Sequence, residues 1–449
     1  MRKQLTAMAL VLTLCASLLA TPVAAAETTS TAEDAVTTSG STEEQAAAEE
    51  SASTSDSTEE QAAPEEEVIP PDEEGTVSFE NLEKRVRENN ANMLALEETI
   101  ASIESLDYDK LYDDLRDTLN NIVKGQEGLY QLAQLPKDNP YYQEFDSYTY
   151  AQLDEAYDAV RDTFDDIKDG KFQEDNADLI WQLETVQNQI VMGAESLYIA
   201  LVDLEIQAGA LERQLAALDR TVTEMELRYK LGQISSLQLQ QVKSGRTSLA
   251  SGISTLQMNI SVLKMQLEQM LGVEMTGTIK LAALPTIQRS QVEEMELETD
   301  LAAAKENSYT IRSAEKTLEQ AHEDFLDDAK DYNFNEKNYN YQIVKHTWQA
   351  AQHTYAASIQ SFELSFRTTY LQVPDFLQAL EAAEAALAYE QSNYAATELK
   401  YQQGTISKNK LLDAQDTLTT AEEAVQSASI DLFSAYHTYQ WAVEHGILN

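Results

Sequence analysis

Glu226-Leu227-Arg228-Tyr229-Lys230-Leu231-Gly232-Gln233-Ile234-Ser235 is answered 172 residues later by Glu398-Leu399-Lys400-Tyr401-Gln402-Gln403-Gly404-Thr405-Ile406-Ser407. After each glycine runs a seam of positions spaced alternately by three and four. The first is Leu239, Val242, Arg246, Leu249, Ile253, Leu256, Ile260, Leu263, Leu267, Met270; the second is Leu411, Ala414, Leu418, Ala421, Val425, Ala428, Leu432, Ala435, Tyr439, Ala442. A period of 3.5 held over four heptads is the pattern of helices that supercoil around neighbours. Each glycine falls where one helix must stop and the chain reverse, so 226–271 and 398–443 read as the tips and return arms of two helical hairpins.

Outward from the tips the chain is rich in helix formers, with eight prolines and fourteen glycines among 449 residues. Long helices are predicted over about 78–133, 149–169, 173–231, 235–271, 287–331, 340–403 and 407–445, with Pro374 kinking or splitting the sixth. The fold class is all-α, with an extended piece at Thr278-Ile279-Lys280-Leu281. Each half opens alike: Ser78-Phe79-Glu80-Asn81-Leu82 to Asn89-Asn90 resembles Glu296-Leu297-Glu298 to Asn307-Ser308. The division expected is a first repeat over 77–277 and a second over 278–449.

Arg2 and Lys3, an apolar run from Leu5 to Leu19, and Ala24-Ala25-Ala26 predict a secretory signal peptide over 1–26. The single cysteine, Cys15, lies within it; bulky Leu14 and the later small-residue site argue against lipidation there. The mature chain then offers no thiol nucleophile, disulfide or sulfur ligand. Loss of Arg2 and Lys3 takes the formal charge from −46 to −48, which opposes nucleic acid and anionic lipid. Residues 27–76 hold sixteen acidic residues, no lysine or arginine and no aromatic, and read as a disordered acidic linker. No segment after the signal peptide has the apolar length of a membrane helix. The five histidines make no metal-ligand cluster, and nucleophile elbows and phosphate loops are missing, so no catalytic residue, metal or cofactor is assigned.

With these residues in place the chain resembles the TolC-like outer membrane efflux protein family. The residues that carry the resemblance are Tyr229, Gly232, Ile234 and Ser235 with Leu271-Gly272, and Tyr401, Gly404, Ile406 and Ser407 with Leu411-Leu412-Asp413-Ala414-Gln415, over about 77–449. The resemblance implies an exported homotrimer of the cell envelope, its hairpins closed into a hollow α-helical barrel. An adaptor protein and an inner-membrane pump would dock at the tips and hand over solutes or proteins. It further implies a constriction at Lys410 and Asp413, with Tyr401 and Gln238 as gate contacts. Asp413 keeps the acid expected in that family; Lys410 and Gln238 do not.

The same residues have plainer readings. Gly232 and Gly404 suffice as helix stops, Ser235 with Gln238 as a capping box and Ser407 as a cap without a partner, and Asp413 as a solvated helix residue. Tyrosines crowd both ends opposite the tips: Tyr141, Tyr142, Phe145, Tyr148 and Tyr150, and Tyr332, Phe334, Tyr339 and Tyr341 among asparagines. They fit an envelope contact, or rings capping the open ends of a bundle. The family resembled carries two β-strands at the distal end of each half; here 331–340 has no room for them, and Leu153–Ile167 reads as an acidic helix. The alternative function is a solid, non-conducting coiled-coil spacer or binding protein.

Overall fold

A computed structural model describes residues 72–73 and 75–448, which fall within one compact unit. The expected signal peptide and nearly all of the acidic linker lie outside the described residues. The end of that linker is held: the Asp72 carboxylate accepts from Ser78 Oγ at 2.6 Å and Asn81 Nδ2 at 2.9 Å, and pairs with Arg85 at 3.0 Å.

Eleven helices and two very short strands make up the described chain. In the first half these are β1 (Thr76–Val77), α1 (Leu82–Asn89), α2 (Ala91–Glu104), α3 (Tyr108–Gln134), α4 (Ser147–Lys168), α5 (Lys171–Lys230) and α6 (Ser236–Met270). The second half has β2 (Lys280–Leu281), α7 (Arg289–Glu293), α8 (Leu297–Glu306), α9 (Tyr309–Asp331), α10 (Tyr339–Gln402) and α11 (Lys408–His445). The all-α reading holds, with long hairpins α5–α6 and α10–α11 in tandem. β1 and β2 pair in parallel, Thr76 with Lys280 and Val77 with Leu281, so the openings of the two halves meet. Tyr198 on α5 locks this junction, its hydroxyl donating toward the carbonyls of Val77 at 2.9 Å and Ala282 at 2.8 Å.

The long helices form a row: α6 packs on α5, α5 on α11, and α11 on α10. No seam position of either return arm is exposed, and burial deepens away from the tips: Ile253, Ile260 and Leu267 in α6, Leu432, Ala435, Tyr439 and Ala442 in α11. Arg246 sits on an otherwise apolar seam because it pairs with Asp219 across the hairpin at 2.5 Å. The core lies where α1 and β1 cover α5 and α6, and where α8 covers α10 and α11.

Two predicted helices are broken. The stretch 78–133 becomes α1, α2 and α3, and 287–331 becomes α7, α8 and α9. Neither set of breaks carries glycine or proline. Asn90 stops α1 by taking an extended conformation and capping α2, its Oδ1 accepting from the N–H of Asn92 and Met93. Ser308 does the same before α9. Pro374, expected to kink or split α10, lies inside one continuous 64-residue helix; the neighbours on α8 and α11 bury Val373 beside it and hold the run together.

The halves differ distally. The first inserts the hairpin α3–α4, whereas the second turns directly from α9 into α10. Neither distal end contains a strand, as the short turn and the acidic helix implied.

Candidate functional site

At the end of α5, Gly232 has φ 72°, its N–H donates to the Tyr229 carbonyl at 2.9 Å, and the Gln233 N–H donates to Arg228 at 2.9 Å. At the end of α10, Gly404 has φ 73°, donating to Tyr401 at 2.8 Å, while Thr405 donates to Lys400 at 3.0 Å. These paired bonds are the Schellman closure, which needs a left-handed residue and therefore favours glycine. The chain then re-enters helix through a serine cap. Ser235 Oγ accepts from Gln238 N at 3.3 Å, and Gln238 Oε1 accepts from Ser235 N at 2.9 Å, completing the capping box. Ser407 accepts from Lys410 N at 3.4 Å with no reciprocal bond. Duplicated sequence has given duplicated tips.

Tyr229, Ser235, Tyr401 and Ser407 are exposed, and Ile234 and Ile406 are half-buried beneath the turns. Gln238, Lys410 and Asp413 are exposed, and Gln238 is occupied in its own cap. No hydrogen bond or ion pair among the described residues joins the side chains of Lys410 or Asp413 to it. What sequence reasoning missed is the greasiness of the tips: Leu227, Leu231, Leu237 and Leu399 are all exposed there. The seam pattern pointed only to the inner face, and these leucines lie off it.

The α5–α11 seam joins the two hairpins. Its partners are Glu195 with Trp441, Arg213 with Glu423 and Arg220 with Asp416, and the residue numbers of every pair add to the same total, so one antiparallel register runs throughout. Away from the tips the seam is buried: the Glu195 carboxylate accepts from Trp441 Nε1 at 2.8 Å and lies 3.2 Å from His437 Nε2. Toward the tips it is ion-paired. No side chain of 209–230, 236–252, 374–402 or 408–429 is fully buried. The tip half is thus held by half-exposed salt bridges, which are weaker and more salt-sensitive than packed core.

Each return arm is docked at its far end onto the opening of its own half. Asn90 Nδ2 donates to the Met270 carbonyl at 3.0 Å, and Asn307 Nδ2 to the Val443 carbonyl at 3.0 Å. Beside these bonds Gly272 (φ 65°) and Gly446 (φ 62°) end α6 and α11, and a Cβ on either would overlap the backbone of Asn89 or of Asn307 and Ser308. The loop after Gly272 is tied by Glu268, 2% exposed. Burial opposes its ionisation, but the N–H groups of Gly277, Thr278 and Ile279 and the Thr276 hydroxyl hold the carboxyl below the usual range. Among the described residues no group of three or more His, Cys, Asp or Glu is placed to hold a metal ion, and no helix is long and apolar enough to cross a membrane.

No family model and no curated protein matches the chain. Its structure is similar to solved ones at low identity. The outer membrane protein VceC from Vibrio cholerae is 12% identical with a TM-score of 0.45, over 82% of this chain and 96% of that one. The Campylobacter jejuni CmeC outer membrane channel is 10% identical at 0.42, over 82% and 86%. The open-state MtrE outer membrane channel of Neisseria gonorrhoeae is 12% identical at 0.44, over 82% and 89%.

Proposed function

We propose that the chain is one subunit of an exported, hollow, homotrimeric conduit of the cell envelope, with repeats over 77–277 and 278–449. It would pass solutes or proteins delivered by an adaptor and an inner-membrane pump, and do no chemistry of its own. The observation that carries this reading is a surface left open by the repeat. In the duplication α10 is the counterpart of α5, and α11 of α6. The internal seam α11–α5 therefore has a counterpart between α6 of one copy and α10 of the next.

The side chains suit that contact. At the register of the internal seam, exposed Leu237 meets exposed Leu399, and half-buried Met265 meets exposed Leu371. Exposed Leu364 and Leu371 follow one another at heptad spacing on the free face of α10, at the level where α6 of the next copy ends. A contact between two different faces generates a ring when the rotation closes, which is how a row of helices becomes a tube. The count of three rests on the family resemblance.

The exposed leucines and tyrosines of the tips, with Ile234, Ser235, Ile406 and Ser407, would receive the adaptor. Opening would part the ion-paired tip half of the α5–α11 seam, with Gly232 and Gly404 as pivots and Gln238, Lys410 and Asp413 at the entrance. The protein would be exported to the cell envelope, in the outer membrane if the family role holds and otherwise in the extracytoplasmic or cell-wall space; distal ends without strands among the described residues favour the second.

The mature chain lacks cysteine, so the contact can be tested by cross-linking. A Leu237→Cys, Leu399→Cys double variant should oxidise to a ladder of dimers ending at a closed trimer, and each single variant should give no ladder. A double variant that stays monomeric under oxidation contradicts the proposed ring.

A further inference from the structure

The turn between α9 and α10 stands apart among the described residues. Asn333 and Phe334 stand at φ 50° and 52°, the left-handed region, and are the non-glycine residues there among those described. A bulky aromatic held in that conformation is strained by about 1–3 kcal/mol, and such strain gathers at functional sites. Phe334 is nonetheless half exposed, and Tyr339 is 77% exposed. From Tyr339 a shallow groove of about 450 Å³ runs along α10, lined by Tyr339, Gln342, Ile343, His346, Thr347 and Ala350.

The α6–α10 contact proposed above ends where α6 ends, near the level of residue 366, so the groove lies beyond it. The repeat sharpens the contrast. On α5 the counterpart stretch carries Asp175 and Asp178, which bind Lys316 and Arg312 of α9. At the 172-residue offset these acids become Thr347 and Ala350. The first half uses this surface for ion pairs with α9, whereas the second carries no charge at the same two positions.

We propose that this turn and groove bind an uncharged polysaccharide. The chain is formally −46, yet residues 332–350 hold one glutamate against two lysines, and Glu336 is paired with Lys345 at 2.8 Å. A polycation would find acid elsewhere on the surface, and an anionic bilayer would be repelled by Asp327, Asp328 and Asp331 beside the turn. A neutral partner matches the patch. Flat rings with one free face pack on the C–H faces of sugar rings, and hydroxyls are met by amides. Asn335 and Asn338 spend their Oδ1 atoms on the N–H of Lys337 and Asn340, and an amide so used still has its N–H2 to donate. The α3–α4 turn repeats the chemistry, with Tyr141 and Tyr148 more than 70% exposed beside Asn139 and Gln143. Other rings there, Tyr130, Phe145 and Tyr150, pack on one another and close the bundle end.

The test is co-sedimentation of the full mature protein with three insoluble uncharged polymers, namely cellulose, chitin and cross-linked dextran. Flotation with phosphatidylcholine vesicles and the solution mass are measured in parallel. The expected result is retention on at least one polymer, about two- to tenfold weaker in Tyr339→Ala, the range of one lost aromatic contact. Tyr389→Ala, an exposed ring elsewhere on α10, should bind as the parent does. Three results overturn the proposal: retention on no polymer; equal retention by Tyr339→Ala; or a change in vesicle binding or oligomer mass in Tyr339→Ala with polymer retention unchanged.

Discussion

At the residue scale, two kinds of glycine do different work. A side chain on Gly232 or Gly404 meets open space, so its penalty is the left-handed φ alone, about 1–2 kcal/mol. Gly272 and Gly446 face backbone as well. Thermal melts should show Gly404→Ala lowering stability by about 1–2 kcal/mol, and Gly272→Ala by clearly more; equal losses would refute the close packing on Asn89. A β-branched residue at Gly404 should leave the fold intact and impair export. His445 supplies a pH signature. Burial holds its imidazole below the usual value, outweighing the nearby carboxylates, and Nδ1 lies 3.3 Å from the Asn188 amide. The unfolded chain then binds the proton more readily, so this contribution is complete above pH ~6.5 and declines as pH falls toward the folded value. His445→Gln should flatten that part of the stability–pH curve; an unchanged slope below pH ~6.5 would show that burial at His445 is not its source. The tip glycines and serine caps were legible because each has a sequence signature. Asn90, Ser308 and the docking of Gly272 and Gly446 were not, since an asparagine or serine within a helical run reads as any polar residue until its tertiary partner is known.

At the element scale, the heptad seams foretold which face of α6 and α11 is covered, because a period of 3.5 permits one buried stripe. They said nothing of the stripe's strength along its length. That follows from the change from apolar pairs near Trp441 to Arg213–Glu423 and Arg220–Asp416 near the tips. Exposed ion pairs weaken as salt shortens the screening length from about 14 Å to about 3 Å, between about 0.05 M and 1 M. Hydrogen exchange in 209–230 and 408–429 should therefore quicken with salt, and likewise in Arg220→Ala, while 191–208 and 430–442 should hold steady. Uniform exchange along both helices would remove the basis for tip opening. Helix breaks were the weak point of the sequence reading, because the opening helices are interrupted by caps and by crossing over α5 and α10 rather than by breakers. Pro374 does not split α10, since packing on both sides carries the helix through it.

At the scale of the whole molecule, the row α6–α5–α11–α10 has two unlike free edges whose exposed residues fall into the register of the seam within the chain. That surface is invisible in a list of motifs and needs the repeat and the contacts together. It makes the central claim one of assembly. The most direct measurement is the mass and shape of the mature protein by light scattering with negative-stain imaging, in detergent-free buffer and again in mild detergent. A trimer seen as a hollow cylinder is the result predicted. A monomer or a solid rod under both conditions would contradict it.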